Sequence, residues 1–181
     1  MDFDGYEPLR LTADEVEMLK ALRHMADKSG YEYGMAAQLS DGATGKILWK
    51  SDKFTSNNRN LVVIPQSVLQ LDTISLYHAH TNNTLFSVKD LKLLLRPNVK
   101  KVCVIAASYN AAVVWTNSGC LPDDEEFTEV TSQIQRTVPL ELLNRPDFFD
   151  WTQEERMNRA IQEQAFQISR HFKWTLEGGT L

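Results

Sequence analysis

A chain of 181 residues with 43% apolar and 24% charged positions is sized and composed for one globular domain with a core of its own. Its formal net charge of −5 argues against a nucleic-acid backbone as the main partner, which calls for a clustered basic face. No apolar run approaches the ~18 residues that cross a bilayer, and the acidic start, Met1 to Glu7, lacks the basic and apolar regions of a secretory signal. The expectation is therefore a cytoplasmic protein, or one delivered to a target-cell cytosol by a signal-independent route, that binds neither nucleic acid nor membrane.

In chain order, Thr12 with Glu15 three residues later is a capping-box signature, and the apolar spacing that follows predicts a helix over about 12–28, stopped by Ser29-Gly30. Tyr31 to Leu39 and Lys46 to Trp49 read as a hairpin around the turn residues Ser40 to Gly45. Ser51 to Asn60 is polar and aperiodic, a loop. Leu61 to Ile64 reads as a short strand ending at Pro65, and Gln66 to Leu71 as one helical turn. Thr73 to His80 is the next strand, and Ile74, Leu76, His78 and His80 share its parity and hence one face. Ser87 to Leu95 predicts a helix that ends at Arg96-Pro97. A hairpin of Lys101 to Ser108 and Ala111 to Thr116 follows, with Cys103 as a small core residue. Neither Cys103 nor Cys120 belongs to a Cys-x-x-Cys pair. After a break at 117–124, a helix from Glu125 to Val138 is expected to stop before Pro139, with 140–150 irregular. A longer helix capped by Thr152 and Glu155 runs to about Phe172, its apolar stripe carried by Met157, Ile161, Ala165 and Ile168. The tail from Trp174, with Gly178-Gly179, reads as frayed. The sum is an α+β domain with a central, mostly antiparallel sheet flanked by helices, divided into a catalytic core at 1–116 and a C-terminal helical extension at 117–181 packed on it.

The chemistry concentrates in one stretch. His78-x-His80 delivers two of the four histidines to the end of one strand, and Asp90 returns after a short connection on the first turn of a helix opened by Ser87. Two imidazoles and one carboxylate are the ligand set of a hydrolytic zinc whose remaining position is open to water. Ser87-x-x-Asp90 is also simply a capping box, and His-x-His occurs on strands with no metal. For the serine the two readings are compatible, since it can cap the helix while also facing a pocket. Glu32, at the start of the first hairpin and followed by the small residues Gly34, Ala36 and Ala37, is the candidate general base. Asn82 and Asn83 are turn residues that could also line a pocket and bind a substrate backbone.

Taken together, Glu32, His78-x-His80 and Ser87-x-x-Asp90, in that order, resemble the motif of the JAB/JAMM (MPN-type) zinc metalloproteases. The order of elements over about 12–116 resembles that fold too, with its cytidine-deaminase-like layering. The resemblance implies zinc held by His78, His80 and Asp90, with Glu32 managing the proton of the attacking water and Ser87 helping to stabilise the oxyanion. It implies cleavage of an amide or isopeptide bond in a protein or peptide substrate, including removal of a ubiquitin-like modifier. Two departures stand in the connection: Thr81 follows the second histidine where many members have proline, and the stretch from there to Ser87 is one residue shorter. Two other readings remain beside the hydrolase. One is a non-catalytic binding or scaffold module that pairs with an MPN-type partner. The other is a delivered toxin or effector domain that uses these residues for a different reaction and is met by an immunity-type partner.

Overall fold

The computed structural model describes residues 3–40, 43–51, 62–71, 73–116 and 121–181. The expected loop over Ser51 to Asn60 lies, from residue 52 on, outside the described residues, as do Cys120 and the break at 117–120. The described residues form one seven-stranded mixed sheet and four α-helices, an α+β arrangement. In chain order these are β1 (Glu7–Pro8), α1 (Ala13–Ser29), β2 (Tyr33–Ser40), β3 (Ala43–Lys50), β4 (Ile74–Ala79), α2 (Val88–Lys92), β5 (Val99–Ile105), β6 (Asn110–Trp115), α3 (Asp124–Leu143), α4 (Gln153–His171) and β7 (Thr175–Thr180). The strands lie side by side as β1-β7-β6-β5-β4-β2-β3. Pairing is antiparallel except for β4 with β5, joined through α2, and β1 with β7.

The alternation of side chains along the strands feeds two cores. On one face Leu19, Leu22 and Ala26 of α1 cover Tyr33, Met35, Tyr77, Cys103, Ile105 and Val113. On the other, α2, α3 and α4 cover Ala36, Leu76, Val102, Val104, Ala112 and Val114. Three helices open with the capping boxes that the sequence announces: Thr12 with Glu15, Ser87 with Asp90, and Thr152 with Glu155. Asp123 caps α3 by accepting from the backbone N–H groups of Glu125 and Glu126, so the acidic run around it serves a helix start.

Four expectations fail. α3 does not stop at Pro139 but runs through it to Leu143. Val138 and Leu142, one turn apart, are both buried against the sheet, and that packing outweighs the one backbone hydrogen bond a proline removes. The C-terminal tail is not frayed: Thr175–Thr180 pairs along the whole of β6, so the segment after residue 117 completes the same sheet in addition to supplying helices. Gly178 is needed there because Phe3 and Tyr6 lie where its Cβ would be. Residues 62–64 are irregular, not a strand. Met157 is 55% exposed, so the buried part of the α4 stripe begins further along, at Ala165 and Ile168.

Candidate metal centre

β4 ends with His78 on the face that carries Leu76 and Ile74, and His80 lies just past the strand. The strand pairing sets Gly34 of β2 directly opposite His78. Glu32, two residues before Gly34, has the same parity and reaches the same spot. The connection after His80 is folded tightly. The Asn82 carboxamide oxygen accepts from the Thr84 backbone N–H at 3.0 Å, and the Asn82 carbonyl accepts from Ala107 N–H at 2.8 Å. That turn brings Ser87 and the first turn of α2 back over the histidines.

Four side chains converge as a result. His78 Nε2 lies 3.0 Å from Glu32 Oε2, and His78 Nδ1 lies 3.1 Å from Asp90 Oδ1. His80 Nε2 is 3.7 Å from Asp90 Oδ2, and its Nδ1 is 3.0 Å from the Thr84 carbonyl. A carbonyl only accepts, so this contact places the His80 proton on Nδ1 and leaves the Nε2 lone pair facing the carboxylates. Ser87 donates both its backbone N–H (2.8 Å) and its hydroxyl (2.6 Å) to Asp90 Oδ2, which fixes the carboxylate plane. Glu32, His80 and Asp90 are buried, and His78 is partly exposed.

The electrostatics follow from this packing. Burial opposes charge on His78, but the hydrogen bonds and charges of Asp90 and Glu32 outweigh it and raise its pKa to about 9. Burial, together with the charge of His78, pushes His80 the other way, towards the neutral form that ligates metals. Burial would raise the Asp90 carboxyl as well. The hydrogen bond and charge of His78, with the Ser87 hydroxyl, hold it well below the usual carboxylate range. The donor set fits a divalent cation: Glu32, His78 and His80 each offer an atom within 4.8 Å of the others, and Asp90 stands on the second nitrogen of His78. An ion bound to one nitrogen of His78 would displace the proton which that nitrogen donates to its carboxylate.

The cluster faces a cavity of about 530 Å³, lined also by Asn82, Thr84 and Ser87 and, further along, by apolar side chains. The structure thus brings Glu32, His78, His80, Ser87, Asp90 and Asn82 to one place. Asn83 goes elsewhere: it lines a separate polar cavity beside Ser108, Asn110 and Arg159. Sequence reasoning did not find Thr84, whose carbonyl sets the His80 tautomer. It also missed Arg23, whose guanidinium, buried under the sheet in α1, donates from Nη1 to the His80 carbonyl. Backbone carbonyl partners leave no residue-type signal. Arg23 alone carried one, a charge at a position of α1 that the apolar period assigns to the core. His24 and His171 are exposed and away from the cluster. No helix among the described residues is long and apolar enough to cross a membrane. No family model matches the chain, and neither does any curated protein or solved structure.

Proposed function

We propose that the protein is a zinc-dependent hydrolase of JAB/JAMM type that cleaves an amide or isopeptide bond in a protein or peptide. The observation that carries the reading is the convergence of two imidazoles and two carboxylates on one cavity wall, from positions as far apart in the chain as Glu32 and Asp90. The layout of the core supports it: a helix, a hairpin that presents Glu32, a strand that ends in His-x-His, a helix capped by Ser87 and Asp90, then further strands. His78, His80 and Asp90 would hold the ion, which supplies Lewis acidity and an acidified water. Glu32 takes the proton of the attacking water and returns it to the leaving nitrogen. On the cavity wall the Ser87 hydroxyl donates to Asp90, and it would have to turn that single proton away from the carboxylate to serve the developing oxyanion. A ubiquitin-like modifier fused to a peptide belongs among the first substrates to try.

One observation favours a second reading, a binding module without catalysis. The Glu32–His78–Asp90 chain already satisfies its hydrogen bonds within the protein, as a structural cluster would. Metal analysis joined to peptide and modifier-fusion cleavage separates the two. The hydrolase binds one equivalent of zinc, loses it in Asp90→Asn and His78→Ala, and keeps it while losing turnover in Glu32→Gln. A chain that takes up no zinc and cleaves nothing is the binding module. If Glu32→Gln loses zinc and Asp90→Asn keeps it, the two carboxylates exchange roles.

A further inference from the structure

The cavity does not end at the charged cluster. His78 and Leu76 are two residues apart on the same face of β4, roughly 6–7 Å along the strand, and Leu76 pairs with Val102 of β5. The floor therefore passes from imidazole to aliphatic within about the reach of a leucine or phenylalanine side chain from its own carbonyl. Trp49, Ile64, Leu69, Val88 and Leu93 stand around this part. Each packs against the core beneath it yet is only partly buried, so folding leaves apolar surface uncovered around a single hollow. Gly34 lets Val62 and Trp49 close onto the strand beside His78 and form the side of the arm. It faces His78 across the sheet, and a Cβ there would lie 2.9 Å from Val62 Cγ1 and 3.6 Å from the Trp49 ring.

We propose that this apolar arm is a specificity pocket, and that the scissile amide is flanked on its acyl side by a residue with a bulky apolar side chain, aromatic or large aliphatic. The proposal rests on the hydrolase reading and narrows its substrate class from ubiquitin-like modifiers, whose acyl end is glycine, to amides that follow a bulky apolar residue. A pocket of this kind discriminates by surface removed from water, so each added methylene raises affinity until the arm is filled.

Hydroxamates of increasing acyl size test it, because the hydroxamate grips the metal and lays the acyl group along the floor. The zinc-loaded protein is titrated by calorimetry with acetohydroxamate and with 3-phenylpropionohydroxamate. The larger acyl group binds about tenfold tighter or more. Leu69→Glu and Ile64→Glu, both at partly exposed positions outside the strands, remove that preference and leave acetohydroxamate affinity unchanged. Equal affinities in the wild type, or a preference that survives both substitutions, overturn the pocket while leaving the metal site standing. A chain that holds no zinc and binds neither probe overturns the hydrolase reading and this proposal with it, and the metal content reports which case applies.

Discussion

Tyr77 and His78 are neighbours in β4 and point to opposite faces of the sheet, each into a buried polar cluster. The Tyr77 hydroxyl donates to Glu15 Oε1 at 2.8 Å, and the same carboxylate receives Thr44 and the Lys101 ammonium. Lys101 also lies 4.2 Å from the centre of the Trp115 ring, and both Lys101 and Glu15 are buried. That cluster sets one anion against one cation. Across the sheet, two carboxylates share two imidazoles at the edge of a 530 Å³ cavity. Both clusters shift the pKa values of their members. Burial works against the Glu15 carboxylate, yet Lys101, Thr44, Thr12 and Tyr77 together lower its pKa to about 2. Perturbed titration alone therefore does not mark a functional site. What sets the His78 cluster apart is its several ligating groups beside open space.

The contrast predicts that one cluster is spent on chemistry and the other on stability. The largest effect belongs to Glu32→Gln. Turnover of any amide that the wild type cleaves falls about 10²–10⁴-fold, while the urea midpoint stays near that of the wild type. A large loss of stability would place Glu32 in the same class as Glu15. Next comes Lys101→Met, which strands the Glu15 carboxylate in the core and costs about 3–5 kcal/mol in urea unfolding. Adding Glu15→Gln recovers part of that loss. Zinc affinity of the folded variant is unchanged in either case, and a fall would mean that the sheet couples the two clusters.

Acid titration gives a third, somewhat smaller effect. Glu15 ionises at about 2 in the folded protein against 4.5 as its ordinary value. Its folded pKa is depressed, so its contribution is fully present above about pH 4.5 and disappears as pH falls towards 2. The amount at stake is on the order of 3 kcal/mol. Urea midpoints measured between pH 5 and pH 2 in the wild type and in Glu15→Gln isolate it, since only the wild type carries this part of the slope.

Much of this arrangement is written locally. The capping residues Thr12, Ser87 and Thr152 announce their helices, and the parity of Ile74, Leu76 and His78 places the imidazole on one face of β4 before any tertiary contact is known. The convergence of Asp90 on the histidines was legible because a short connection leaves it few places to go. What the pattern hid depends on distant partners. β7 contains Gly178-Gly179, poor strand residues, and forms because β6 offers a free edge and Phe3 and Tyr6 fill the space above it. Asn82 and Asn83 look alike in sequence, but the tight turn sends one to the cavity of the histidine–carboxylate cluster and the other away from it. The strand expected near Ile64 fails although its residues are apolar. Ile64 and Leu69 instead wall the cavity, a use that short apolar runs do not advertise.

One residue joins the two faces. Arg23 sits on the α1 side, buried, with Nε and Nη2 on Asp27 at 3.1 and 2.6 Å, and it sends Nη1 to the backbone carbonyl of His80. It touches neither the imidazole and carboxylate atoms of the cluster nor the cavity, so any effect on the site passes through the position of His80. Arg23→Gln removes the donor from a buried carbonyl and costs about 1–3 kcal/mol of stability. It also frees the end of β4, where the His80 Nδ1–H must meet the Thr84 carbonyl for Nε2 to face the carboxylates. Loss of such an orienting contact weakens metal binding by about tenfold or more. Arg23→Lys keeps a cation within reach of the same carbonyl and restores part of the affinity. Zinc competition titrations on folded protein read this directly. An Arg23→Gln variant that is less stable but binds zinc like the wild type assigns Arg23 to the structural cluster, with the two faces of the sheet fully separate in their work.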